Sequence, residues 1–289
     1  MESFALVLVG ALTGMLVGFT GVGGGALMTP ILMLGFSIAP LTAIATDLCF
    51  AALTKLAALR AFQPAGMVDG QVLRRLALGS LPTAGLVVFF LEPEGGHDRP
   101  MPWLLPGVGG MVLLAALTLL LAPRWAAAGR SRRLADPARF KGRQGPLTVL
   151  AGAAMGAAVA LTSVGAGALG SAVLLALYPL RMTPQRLVAT DLAHALPLAA
   201  LTGAAYAFGG AVDWALLGWL LLGSLPAAYA ASRLNLKTPE RWRRPVLAAV
   251  LLVLGLRLLL SAPSPERRRL SRSPPPCAKM GPSGLKAHY

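Results

Sequence analysis

Thr20-Gly21-Val22-Gly23-Gly24-Gly25 interrupts one long apolar run, and Thr162-Ser163-Val164-Gly165-Ala166-Gly167 interrupts another. Four of the five positions 21–25 are glycine. A glycine inside a helix costs roughly 1 kcal/mol against alanine, so the cluster marks backbone that leaves the helix. In a bilayer, unwound backbone persists only where protein or a water-filled cavity satisfies its N–H and C=O groups. A helix restarting over Gly25–Pro30 would aim free N–H groups and the positive end of its dipole into such a cavity. That is a means of holding a small anion without burying a full positive charge.

Working outward, the composition sets the solvent. The 289 residues are 56% hydrophobic and 13% charged, with a mean hydropathy of +0.68. Soluble domains carry about 25% charged residues. Apolar segments of roughly 17–20 residues recur from end to end, long enough to cross hydrocarbon. The fold class this implies is all-α and polytopic, with about eight to ten transmembrane helices. The formal net charge of +15 would suit nucleic acid, but the basic residues sit in connecting segments and the tail, without a recognition surface between them. Their position beside apolar spans fits cytoplasmic retention instead. The partner implied is the lipid bilayer, with no nucleic acid. Cys49 and Cys277 form neither a metal spacing nor a disulfide framework. The first segment lacks a basic leader and a cleavage site, and reads as a retained helix.

The pattern runs twice. Ala45-Thr46-Asp47-Leu48 recurs as Ala189-Thr190-Asp191-Leu192, Val68-Asp69 as Val212-Asp213, and Gly79-Ser80-Leu81-Pro82 as Gly223-Ser224-Leu225-Pro226. Pro40 and Pro184 keep the same register, and the glycine stretches match after a shift of two residues. Matches at a constant offset mean an internal duplication, a common way of building secondary transporters. The organisation expected is a first membrane repeat over 1–122, a basic cytoplasmic loop over 123–145, a second repeat over 146–262 and a disordered basic tail over 263–289. If both helices of each glycine-broken pair cross, each half has five spans and the halves are inverted; if each pair crosses once, the repeats are parallel. Loop charge does not settle this. The inverted arrangement gathers Arg60, Arg74, Arg75, the central loop, Arg181, Arg186 and Arg233 to Arg244 on one side, and strands Arg267 to Arg272 on the other. It is the preferred one.

Asp47 and Asp191 lie inside the third helix of each half, where an ionisable group costs at least about 2.5–3.5 kcal/mol and requires an interior partner. They are candidates for proton coupling, and equally for capping the broken helix ends. Lys55 follows Asp47 by eight residues on the same helix side. It reads either as a fixed cation for an anion or as a partner of Asp47 that snorkels to the interface. Its counterpart is Ala199, so this charge is not symmetric. His194, one turn after Asp191, is a candidate proton relay or a simple interhelical hydrogen bond. For substrate the candidates are Thr20, Gly21, Gly23, Gly24, Gly25, Thr162, Ser163, Gly165 and Gly167, through backbone N–H groups and flanking hydroxyls. Close helix packing and hydroxyl bonds back to helix carbonyls are the alternatives. The Gly-Ser-Leu-Pro elements read as packing and kink elements.

In these residues the sequence resembles the TauE/SafE family of bacterial membrane proteins, described as sulfite or organosulfonate exporters. The likeness rests on Gly-Val-Gly-Gly-Gly at 21–25, Ala-Thr-Asp-Leu at 45–48 with Thr54-Lys55, and Leu-Ala-Leu-Gly-Ser-Leu-Pro at 76–82. In the second half it rests on Ala-Thr-Asp-Leu-Ala-His-Ala-Leu-Pro at 189–197, Val-Asp-Trp-Ala-Leu-Leu-Gly at 212–218, and Leu-Leu-Leu-Gly-Ser-Leu-Pro at 220–226. Ser163 and Ala166 replace glycines of the first half, and Ala45 and Ala189 stand where glycine is expected before Thr-Asp. The resemblance implies a multi-pass exporter of small sulfur-containing anions in the bacterial inner membrane. The residues alone stop at a duplicated transporter for a small anion.

No metal cluster, nucleotide-type phosphate loop or nucleophile–His–acid set appears, so neither an enzyme nor a cofactor is expected. Transport would then be secondary. An anion channel and a non-transport membrane scaffold are the rivals. A homodimer is compatible with the sequence, which does not determine the oligomeric state.

Overall fold

The computed structural model describes residues 2–20, 25–61, 67–91, 103–135, 137–165, 167–235 and 240–261. They form ten helices: α1 (Glu2–Thr20), α2 (Gly25–Gly35), α3 (Pro40–Ala61), α4 (Gly70–Leu91), α5 (Leu104–Ala135), α6 (Pro137–Thr162), α7 (Ala168–Leu177), α8 (Pro184–Phe208), α9 (Trp214–Asn235) and α10 (Glu240–Ser261). The polytopic all-α architecture is borne out, with five helices per half and a short second helix in each. Six of them, α3, α4, α5, α6, α8 and α9, contain a stretch long and apolar enough to cross a membrane. With 11 and 10 residues, α2 and α7 reach about half of a hydrocarbon core, at roughly 1.5 Å per residue. Large apolar side chains such as Leu86, Phe89, Phe90, Leu222, Val253 and Leu256 point outward. That arrangement suits lipid and not water.

The basic stretch expected as a loop is largely helical. α5 continues to Ala135 and α6 starts at Pro137. Ala, Arg and Leu dominate 125–135; all are strong helix formers, and extending a helix already nucleated by an apolar span costs little.

The two halves exchange helices. Gly10 of α1 lies against Leu220 of α9, Gly14 against Ser224 and Gly18 against Ala228. The paired numbers rise together, so α1 and α9 run in the same direction. The second half repeats this, with Gly152 of α6 against Leu76 of α4 and Gly156 against Ser80. A Cβ at these glycines would overlap the neighbouring backbone. Small residues are what let two membrane helices approach so closely. Equivalent helices of the two halves meet head to tail. Gly109 lies by Leu258 and Gly255 by Leu113, so α5 and α10 are antiparallel. Cys49 lies by Gly203, and Ala58 clusters with Leu192, so α3 and α8 are antiparallel too.

Threonines tie the halves together at both ends. The Thr46 hydroxyl accepts from Asp213 N–H at 3.1 Å, and the Thr190 hydroxyl accepts from Asp69 N–H at 3.0 Å. Asp69 and Asp213 in turn cap α4 and α9, accepting from Val72 N–H and Leu216 N–H. At the Asp69 end, Arg181 pairs with Asp69 and Arg75 donates to the Tyr178 hydroxyl. The basic ends of α3, α4, α6, α8 and α9 are thus gathered on one side of the bundle.

Valine at Gly14 or Gly156 should cost about 1–3 kcal/mol through overpacking. Thermal unfolding in detergent, followed by size-exclusion chromatography, should show a lowered midpoint for both. Gly85, where a Cβ would meet nothing within 4 Å, should tolerate alanine without loss.

Candidate functional site

The interior holds Asp47, Lys55, Asp191 and His194, all at most 3% exposed, on the antiparallel pair α3 and α8. No cluster of three or more His, Cys, Asp or Glu side chains placed to hold a metal occurs among the described residues.

Around Asp47 the first half supplies the partner. The Thr29 hydroxyl, in the middle of α2, donates to Asp47 Oδ2 at 2.5 Å. The Ser163 hydroxyl, from the break of the second half, lies beside the same carboxylate without closing a hydrogen bond, and Asp47 Oδ1 stays unpaired. The second break therefore meets the carboxylate of the other half.

Around Asp191 the arrangement is different. Gly170 of α7 faces its Oδ1 so closely that a Cβ would collide with it, and that oxygen has no hydrogen-bond partner. The residue matching Thr29 under the two-residue shift is Ser171, whose hydroxyl instead donates to the Ala168 carbonyl. Lys55 has Asp191 and Asp47 as its charged neighbours. Yet the one ion pair among the described residues is Arg181–Asp69. Lys55 is thus a buried amine with two carboxyl groups as neighbours and a salt bridge to neither among the described residues. His194 Nε2 shares a hydrogen bond of 2.8 Å with the Ser80 hydroxyl, and its Nδ1 is buried and unpaired.

Of the predicted anion-binding stretches, Gly21, Gly23 and Gly24 lie outside the described residues. Thr20 is the last residue of α1 and Gly25 the first of α2. The second stretch is irregular as expected of a break, with Ser163 at φ 57° and Gly165 at φ 130°. Both lie in the left-handed region, which costs glycine least. Gly167 precedes α7 without a side-chain cap. The Thr162 hydroxyl is committed locally, donating to the Ala158 carbonyl and accepting from Val164 N–H. Leu169 N–H is taken by the Gly165 carbonyl, so that amide is not free for a ligand. The break thus contributes Ser163 to the interior more clearly than it contributes bare amides.

Thr29, Ser80 and the two tethering threonines did not stand out in the sequence. Thr46 and Thr190 carried a signal, since each precedes a duplicated aspartate. Ser80 carried one too, in a motif that otherwise reads as packing.

Glycine-packed helices around unpaired interior charges define a polytopic membrane protein with a duplicated, polar core. The chain belongs to the family described as Sulfite exporter TauE/SafE, which it matches over residues 6–258. It is 32% identical over 267 residues to a protein of Bacillus subtilis (strain 168) named "Probable membrane transporter protein YjnA", an overlap of 89% of this chain and 100% of that one. No solved structure matches it.

Removing the donor to Asp47 leaves a buried carboxylate oxygen unsatisfied, which costs about 1–3 kcal/mol. Thr29→Val should lower the unfolding midpoint in detergent by that equivalent, and Thr29→Ser should restore most of it.

Proposed function

We propose that this protein is a secondary transporter exporting small sulfur-containing anions, such as sulfite or organosulfonates, across the bacterial inner membrane, with its basic end in the cytoplasm. The antiparallel meeting of α3 with α8 and of α5 with α10 supports the inverted arrangement of the halves. Family membership supports the substrate class. The observation that carries the reading is the burial of Lys55 in the bundle, with no salt bridge closed among the described residues. A charge within a span is costly and marks a solute or ion pathway when it is retained.

Lys55, Asp47 and Asp191 sum to one net negative charge when all are ionised. A proton on either carboxyl neutralises the set, and a second proton makes it match a monoanion. Anion and proton therefore favour each other's binding, and the linkage is reciprocal. Asp191 is the better proton carrier of the two, because Asp47 is held by Thr29. His194 and Ser80 supply neutral hydrogen-bonding groups beside the cation, with Nδ1 left to face the anion. Ser163 offers a hydroxyl near Asp47. Such a site carries an anion with its charge-balancing proton down the anion's own outward gradient.

Flux of an alkyl sulfonate, whose charge is constant over the range, is to be measured in proteoliposomes. At subsaturating solute the initial rate should rise as the pH on the loading side falls, because the proton-bound site takes the anion more tightly. Lys55→Gln should lower saturable flux about 10–100-fold, the value of a charge-assisted hydrogen bond. Asp191→Asn should keep carriage and flatten the pH profile. Non-saturating current would overturn the reading in favour of a channel. Unchanged flux in Lys55→Gln would remove Lys55 from the site.

A further inference from the structure

The two ends of the duplicated core share a threonine–aspartate tether and differ in the charge that closes it. At each end the threonine preceding the buried aspartate accepts the backbone N–H of an aspartate that caps a helix of the other half. At the basic end the α7–α8 turn adds Arg181. Its Nη2 donates to Asp69 Oδ1 at 2.9 Å, its Nε closes the ion pair with Oδ2, and its Nη1 donates to Gln71 Oε1 at 3.0 Å. The turn that carries it is held in place, with Arg181 N–H and Met182 N–H both donating to the Tyr178 carbonyl, and the Tyr178 hydroxyl bonded to Thr148. At the other end the position matching Arg181 is Ser37, exposed at φ 53°, and Asp213 is exposed without an ion pair among the described residues. One end is clasped by charge, and its counterpart is not.

We propose that Arg181 and Asp69 form a clasp across the seam between the halves, and that its opening admits solute from the basic end to Asp191 and Lys55. The contact is placed for that task. Asp69 belongs to the entry of α4, Arg181 to the entry of α8, and the Asp69 N–H donates to Thr190, the residue before Asp191. Parting the α4 and α8 entries separates the walls above Lys55, where Ala58 of α3 packs against Leu192 of α8. The Asp69 side chain is 1% exposed and that of Arg181 39%. A two-pronged guanidinium–carboxylate contact fixes the closed geometry. Its half-exposed cation keeps its net strength modest, as a gate requires. The inference rests on the carrier reading for what enters, but not for whether the seam opens.

The test therefore reads opening rather than transport. Cys49 and Cys277 are replaced by alanine, and Ala58→Cys serves as a reporter, since Ala58 is fully buried one turn beyond Lys55 toward the basic end. A water-soluble maleimide is applied to the purified full chain in detergent, and the labelling rate is followed. Arg181→Gln and Asp69→Asn should each raise the rate about tenfold by shifting the population toward the open seam. Asparagine keeps the cap on Val72, so the latter change removes charge without removing the start of α4. Arg181→Lys should stay close to the reporter protein itself. Raising the salt concentration should speed labelling where the pair is intact and leave Arg181→Gln unchanged, because salt screens a half-exposed pair. Equal rates within about twofold in all four proteins, with no salt dependence, would overturn the clasp. If a charge-removing variant elutes aggregated, the salt series on the reporter protein alone decides. Failure of sulfonate flux with an intact labelling response would leave the clasp standing and remove the carrier reading.

Discussion

An amine and two carboxyl groups within a few turns of one another, on the most internal helices of a bundle that faces lipid, are the constraint on which the rest of the structure depends. Lipid offers no counter-charge, so Lys55, Asp47 and Asp191 must be enclosed by the protein itself. Enclosure explains why α3 and α8 are the most internal helices, and why short α2 and α7 lie against them. A helix of 10 or 11 residues cannot cross, but it can carry a hydroxyl or a bare glycine to the depth of a buried carboxylate. Thr29 and Gly170 do just that.

Duplication made two such pockets, and the chain then treated them differently. Asp47 has its hydroxyl partner, and the residue matching His194 is the buried Phe50. Asp191 has a glycine in place of that hydroxyl, with Lys55 and the Ser80–His194 pair for company. The Ser224 hydroxyl, equivalent to Ser80, is buried and unpaired. The polar chemistry has thus concentrated around one aspartate while the shared backbone plan was kept. Equal roles for the two carboxylates sit poorly with that distribution.

Much of this was legible beforehand. Short motifs repeated at a constant offset located both aspartates, and the glycine clusters marked where α1 and α6 end. The burial of Asp47 and Asp191 followed from their distance to either helix end. What could not be read was who meets whom. The sequence places Thr29 and Asp47 eighteen residues apart, and nothing local says that a short antiparallel turn brings them together. Ser80 and His194 are separated by 114 residues and belong to different halves. The charge of the basic stretch after Pro123 suggests a loop, but its Ala, Arg and Leu residues continue α5 to Ala135. The amides of the second break were expected to be bare, but the irregular turn satisfies part of its own backbone, as any buried chain must.

The exchange of first helices has a bearing on biogenesis. α1 is made well before the helix that fills its glycine face, since α9 begins some two hundred residues later. Until then the glycine side of α1 lacks the α9 backbone that packs against it. α6 meets no such delay, since α4 precedes it from the ribosome. α1 is therefore a late-docking strut, whose packing partner is made after seven other helices of the bundle.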